Sequence, residues 1–437
     1  MNNKQEDLTM SQMNKRVLMP KLRFPEFLEN DAWTTKTLGS VATISSEKVG
    51  DQTCIPMSIT SGVGLVSQQD KFGRIIAGSS YKNYLQLKQN DFAYNKSATK
   101  EYPEGYLAMY SGEALAAVPN SIFTCFRLKG DSVVPKYLNY LFSRNLHGKW
   151  LRKFIQVGAR ARGSLSIDDK DLLALPVPFP EGASSFTEQQ KIADFLSSLD
   201  ERISLEAKKL KTLNVHKSGM MQQLFPAEGE TLPKLRFPEF LETGEWEEKQ
   251  LSQLGELVSG LTYSPEDVRD AGLLVLRSSN VQNGRITLDD NVYVRNDIKG
   301  ANPTREDDIL ICVRNGSKSL VGKSALIPEG MPPCTHGAFM TIFRAKSAKF
   351  IFQLFQTEAY AKQVSADLGA TINSINGNQL KKYTFFVPKP PEQKKIADFL
   401  ASLDAIIDSQ SQKVDSLKTY KNGLMQQLFP KMDEVEG

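Results

Sequence analysis

"EQQKIADFLSSLDERISLEAKKLKTLNVHKSGMMQQLFP" at residues 188–226 returns as "EQKKIADFLASLDAIIDSQSQKVDSLKTYKNGLMQQLFP" at 392–430, without a gap and at a constant offset of 204 residues. Stepping alternately by four and three through the first copy meets Ile192, Leu196, Leu199, Ile203, Glu206, Leu210, Leu213, Lys217, Met220 and Leu224, eight of them apolar. The second copy gives Ile396, Leu400, Leu403, Ile407, Gln410, Val414, Leu417, Lys421, Leu424 and Leu428, with its polar interruptions at the same two steps. A seam repeating every 3.5 residues belongs to a coiled coil. Two matching seams predict two long helices packed on each other, antiparallel because a domain-sized segment separates them. Thr187 with Gln190 predicts a capping box at the first start, the second copy starts after Pro390-Pro391, and Pro226 and Pro430 stop both helices. Some 35 residues of helix span roughly 50 Å. With their ends aligned, Glu206 and Gln410 meet near the middle, where a buried polar pair would fix register. Gly219 and Gly423, at equivalent steps in the last turns, predict a kink or a close partner contact.

A second repeat frames the first. "PKLRFPEFLE" stands at 20–29 and unchanged at 233–242, so each half reads decapeptide, long variable region, helix block. The decapeptide has no nucleophile or paired acid, and Pro25 with Leu22, Phe24 and Phe27 suits an extended packing strip. Six residues separate Pro226 from Pro233, so the second copy follows a helix end directly. The first copy is then expected to serve the end of the second helix, closing the two halves into a pseudo-symmetric ring.

The chain has 437 residues, 40% hydrophobic and 24% charged, the balance of a globular protein with room for two or more domains. Its apolar runs fall far short of the roughly 18 residues that a membrane span needs, so no membrane role is expected. "MNNKQEDLTMSQMNK" lacks the apolar core of a secretory signal. Four separated cysteines (Cys54, Cys125, Cys312, Cys334) without a CxxC pair suit a reducing, cytoplasmic setting. With the three histidines in unrelated contexts, no metal site is expected. A net charge of +4 hints only weakly at nucleic acid.

Residues 33–186 and 246–391 share framing signals but little else. Each opens on a Trp (Trp33, Trp246) and a Leu-Gly pair, and each closes on a short strand into prolines, "LLALPVPFP" and "LKKYTFFVPKP". Strand patterns ("SIFTCFRLKG", "DDILICVRNGS", "FMTIFRAK") alternate with helix patterns ("PKYLNYLFSRNLHGKWLRKF", "KFIFQLFQTEAYAKQV"), which predicts two mixed α/β domains. Like scaffolds with unlike contents imply two related but distinct ligands. "KWLRKFIQVGARARGSLS" places Lys149, Arg152, Lys153, Arg160, Arg162 and Ser164 around a Gly-rich loop. "VRNGSKSLVGKS" offers Arg314, Asn315, Lys318 and Lys323, "GATINSINGNQ" offers Asn373 and Asn376, and "FAYNKSATKEY" offers Asn95 and Lys96. Arg and Lys suit phosphates or guanine and Asn suits adenine, so these are the candidate contacts to duplex DNA.

Catalytic motifs are missing. "SKSLVGKS" has Ser317 where a phosphate-binding loop needs its first Gly, and Pro328 follows too soon for the required helix. No GxSxG, HExxH, GxGxxG, NPPY or DPPY occurs. "PEFLETGEWEEK" scatters acids as a metal nuclease might, but its counterpart "PEFLENDAWTTK" lacks them, so no catalytic residue is assigned.

The doubled "PKLRFPEF…W…L", the strand into "LPVPFP", and "EQQKIADFLSSLDERI…MQQLFP" resemble the specificity (S) subunits of type I restriction-modification systems, the HsdS family. The resemblance runs from Pro20 to Pro430. It implies an α/β (α+β) fold in which two target-recognition domains are joined by two long helices packed as an antiparallel coiled coil, an internal pseudo-twofold repeat. By position it implies a tail at 1–19, recognition domains at 20–186 and 227–391, spacer helices at 187–226 and 392–430, and a tail at 431–437. Each domain would read one half of a split asymmetric target in double-stranded DNA. The helices would set the spacing, about one turn of DNA or slightly more, and dock two modification subunits. Those subunits would methylate adenine N6 with S-adenosylmethionine, and two restriction subunits would add ATP- and Mg2+-dependent cleavage. The chain itself would be non-catalytic and hold no cofactor. Two other readings stay open from the residues: a coiled-coil scaffold whose variable domains bind proteins, and a self-contained DNA-modifying enzyme.

Overall fold

The computed structural model describes residues 18–60, 62–155, 165–368 and 373–430. The chain divides into two units, Met1–Leu205 with Lys413–Gly437, and Glu206–Gln412. Both boundaries fall inside the long helices, so each unit holds the start of one helix and the end of the other.

In the first unit an antiparallel sheet runs in the order Ala42–Ser45, Phe123–Leu128, Phe92–Asn95, Tyr106–Met109. A second sheet runs Gly64–Ser67, Ile55–Thr60, Ala116–Val118, Leu85–Leu87, with Ile55–Thr60 and Ala116–Val118 parallel. The second unit repeats the antiparallel sheet. Its antiparallel sheet runs Gly255–Ser259, Met340–Ala345, Ile309–Cys312, Ser324–Leu326. Its mixed sheet runs Val268–Arg269, Val292–Val294, Leu273–Leu276, Cys334–His336, with its one parallel pair at the edge where the first unit's is central. In their antiparallel sheets the variable regions therefore share a strand order that their letters do not show. The central strands Phe92–Asn95 and Ile309–Cys312 are buried along their whole length, as apolar runs sandwiched on both faces are. Each unit also pairs its opening and closing strands, Thr34–Thr37 with Pro176–Phe179 and Glu247–Gln250 with Thr384–Val387.

The long helices are Ser185–Leu224 and Pro390–Leu428. The first begins ahead of Thr187, which lies inside the helix rather than at a cap, and the second includes both prolines in its first turn, where a missing N–H costs nothing. All the expected seam residues are buried or half-buried. In the second unit Gln410 Nε2 donates to the Glu206 carbonyl oxygen at 2.9 Å and to its Oε2 at 2.8 Å, and Lys217 Nζ lies 2.6 Å from Asp404 Oδ1. Partners descend along one helix as they climb the other, so the packing is antiparallel. The first unit holds the repeat-equivalent ion pair, Lys421 with Asp200 at 2.5 Å. Gly219 and Gly423 depart from expectation. Both helices run unbroken through them, and a Cβ at either site would meet nothing within 4 Å.

Each decapeptide ties a helix start to a helix end. Arg23 grips Glu188 through two parallel bonds, Nε to Oε1 at 2.8 Å and Nη2 to Oε2 at 2.7 Å, with both side chains almost fully buried. Leu22 N donates to Gln427 O at 2.9 Å. The second copy does the same with Arg236 on Glu392 and Leu235 N on Gln223 O. The strip is not extended throughout, because Pro25–Phe27 and Pro238–Phe240 each form a single 3-10 turn. One core joins Trp33, Phe92, Phe126 and Tyr137 to Ile192, Leu196, Leu428 and Phe429; the other joins Trp246, Phe343 and Phe350 to Leu224, Phe225, Ile396 and Leu400.

Candidate nucleic-acid interface

A buried Asp anchors the beginning of each central strand. Arg127 donates from Nε and Nη2 to the two oxygens of Asp91, both at 2.7 Å, and Arg344 holds Asp308 in the same way at 2.8 Å. Those carboxylates hold the arginines charged, pushing their pKa above the ordinary guanidinium value. The variable loops leave from the opposite, C-terminal ends of these strands.

In the second unit four segments converge there. Val313 N and Arg314 N donate to Phe339 O at 3.0 and 3.1 Å, Asn315 N to Asn373 O at 3.2 Å, and Ile375 N to Val313 O at 2.9 Å. Asn315 Nδ2 reaches Ser278 Oγ at 2.9 Å, and its Oδ1 accepts from Ser317 N at 3.0 Å. Segments 277–286, 313–323, 337–340 and 373–379 contain Arg277, Arg285, Arg314, Lys318 and Lys323 and not one Asp or Glu. Among the described residues this rim is a basic, amide-rich surface, suited to an anion that also offers hydrogen-bonding edges. Arg314, Lys318 and Lys323 are exposed. Asn373 Nδ2 donates to Gly316 O at 2.9 Å. Asn376, expected to read a base, accepts from Gln379 N at 2.9 Å and caps the Gly377–Leu380 helix, so its amide holds the loop. Arg285 pairs with Asp408 of the second long helix.

The first unit builds the same rim with other letters. Lys96 N donates to Ile122 O at 2.8 Å and Leu165 N to Lys96 O at 2.7 Å, matching the bonds that Val313 makes to Phe339 and Ile375. Asn95, expected to contact DNA, is buried at 9% exposure, and its Oδ1 accepts from Ser97 N at 3.0 Å. Its amide shapes the turn rather than facing outward. Arg152 donates through Nε to Glu104 Oε1 at 2.8 Å, so a buried carboxylate offsets its charge. Lys149 is exposed, and Lys153 Nζ lies 4.9 Å above the Trp150 ring. Arg160, Arg162 and Ser164 lie outside the described residues. The imidazole of His147 is fully buried, with Nε2 3.2 Å from Gly105 O, and burial lowers its pKa to about 4. The equivalent place in the second unit is taken by Tyr360, whose hydroxyl donates to Gly322 O at 3.1 Å.

No group of three or more His, Cys, Asp or Glu side chains able to hold a metal occurs among the described residues. Burial pushes the Cys312 thiol up to about 11, so it is a protonated packing group rather than a nucleophile. The rejected phosphate loop has no helix: Lys318–Leu320 is a 3-10 turn leading to the strand Ser324–Leu326. The rim side chains that the motifs did not single out include Arg277, Ser278, Arg285 and Phe339, all in short stretches that read as ordinary strand margins.

The family described as "Type I restriction modification DNA specificity domain" matches residues 30–215 and 243–419. The chain belongs to this family. Over 182 residues it is 31% identical to the type I restriction enzyme StySPI specificity subunit of Salmonella potsdam, and likewise to the EcoKI specificity subunit of Escherichia coli K12. Each match covers 39% of this chain and 39% of the relative, so the chain spans about two fifths of the length of these specificity subunits. A putative specificity subunit, MjaX of Methanocaldococcus jannaschii, is 26% identical over 74% of both chains. The crystal structure of a type I restriction-modification S subunit from M. genitalium aligns with a TM-score of 0.56 at 17% identity, covering 95% of this chain and all of that one. A chain from a study of complex assembly in a type I system aligns at 0.53, covering 92% and 98% at 17% identity. The specificity-subunit fold is thus shared where the letters are not. No described helix is long and apolar enough to cross a membrane.

Proposed function

We propose that this specificity-family chain recognises a split, asymmetric sequence in duplex DNA, each unit's rim reading one half. The observation that carries this reading is the convergence of basic loops at Val313 and Arg314, in segments without an Asp or Glu of their own, built on the same backbone bonds as the Lys96 rim but with different side chains. Equal frameworks present two surfaces to the same kind of polymer, while unequal letters select different sequences. In this reading the chain is non-catalytic. Its long helices set the half-site spacing and dock two modification subunits that methylate adenine N6, and S-adenosylmethionine, ATP and Mg2+ belong to the modification and restriction subunits.

Duplex binding by the purified chain, measured against salt, tests the proposal. Phosphate neutralisation predicts a linear, steep fall of log K with log salt. The same preparation leaves DNA uncut and unmethylated without its partners. A flat salt dependence, or modification by the chain alone, would overturn the reading.

A further inference from the structure

Phe339 is 57% exposed, an unusual position for a phenylalanine, and it sits in the turn before Met340–Ala345 rather than in the strand. Arg314 lies against it, with the guanidinium carbon 5.6 Å from the ring centroid. Arg314 is fixed from two further sides. Its backbone N donates to Phe339 O at 3.1 Å, and its Nε approaches Ser374 Oγ at 3.4 Å. Its Nη groups have no hydrogen-bond or ion-pair partner among the described residues. An exposed ring thus backs a guanidinium whose orientation is set and whose two outer donors meet no partner among the described residues, on a segment that carries no Asp or Glu.

Resting on the DNA-reading function proposed above, we infer that Arg314 and Phe339 together read a guanine beside a thymine in the second unit's half-site. A planar guanidinium with two open donors matches the O6 and N7 acceptors of guanine, and an exposed aromatic edge matches the C5-methyl of thymine in the major groove. Stacking restricts the guanidinium before binding, which favours the bidentate contact over a mobile phosphate contact. The corresponding pair in the first unit, placed by the strand register, is Ser97 and Ile122, with neither the fork nor the ring. The device therefore belongs to one half of an asymmetric target.

The test starts from the target mapped by methylated adenines in cells expressing the full chain with its modification subunits. Binding of the purified chain is then measured on that target and on single-base variants. The half lost when the second unit's rim is altered should contain a G·C pair flanked by T·A. Arg314→Ala should erase discrimination at that G·C pair alone, by roughly ten- to a hundredfold. Replacing the flanking thymine by uracil should weaken the wild-type chain but not Phe339→Ala, because the methyl and the ring are then a single interaction. Unfolding midpoints should stay unchanged in both variants, since neither side chain is buried. A half-site without such a step, or an Arg314→Ala chain that loses affinity equally for all sequences with a shallower salt slope, would overturn the inference and leave the DNA-reading function standing. Absence of any split target would overturn both.

Discussion

At the residue scale the most informative side chains are those that each half uses twice. Arg23 and Arg236 were legible only as letters of a repeated decapeptide; their role became visible once Glu188 and Glu392 were found buried against them. Sequence patterns mark apolar faces well, whereas a buried charge is recognisable only from its partner, here 165 residues away along the chain for Arg23 and Glu188. Asn95 and Asn376 show the converse. An asparagine reads equally as a base contact or as a turn and cap residue, and both of these hold their own backbone. His147 leads to a prediction. Burial lowers its pKa from 6.5 to about 4 in the folded state, so between those values the unfolded chain binds the extra proton. Stability should therefore fall as pH drops through 6.5 toward 4, by up to about 1.4 kcal/mol per pH unit for one such group. His336, also lowered by burial, adds to the slope. Denaturant unfolding of His147→Phe across this window should show a shallower fall, and an unchanged slope would contradict the assignment.

At the scale of elements the helices were the most legible part. A seam fixed by 3.5-residue spacing needs no knowledge of distant partners, and Glu206 with Gln410 followed from aligning the ends. The sheets were less legible, because "FMTIFRAK" continues an apolar strand by pattern while the structure starts that strand at Met340 and leaves Phe339 in the turn. "VQNGRI" carried a hairpin signal in its Asn-Gly pair. Asn283 and Gly284 adopt φ of 51° and 77°, joining the short strands Val281–Gln282 and Arg285–Ile286. The buried Glu206–Gln410 pair belongs to this scale, since it specifies register at some cost in stability. Replacing both by Leu should raise the melting temperature, whereas Gln410→Leu alone should lower stability by about 1–3 kcal/mol by stripping two donor contacts from Glu206. A large loss in the double variant would show that the pair stabilises the coil outright.

At the scale of the whole chain the internal repeat organises everything else. Leu22 meets Gln427 as Leu235 meets Gln223, so the joint between helix end and strip is made once within a continuous stretch of chain and once between distant stretches. A circular permutant opened within 227–232, with 430 joined to 20 through a copy of that linker, should fold and support methylation with partner subunits. Failure to assemble would count against the equivalence of the joints. The choice of bases was least legible, because it depends on which loop atoms face outward, and loop letters alone do not fix that.

On the function proposed above, two differently lettered rims each read half of one target. That reading is tested most directly by mapping methylated adenines in DNA from cells that express this chain with its modification subunits, beside the same cells carrying an Arg314→Ala, Phe339→Ala chain. The expected result is one split, asymmetric target, with degeneracy introduced in one half by the double variant and the other half and the spacing unchanged. A continuous target, or a change spread equally over both halves, would contradict it.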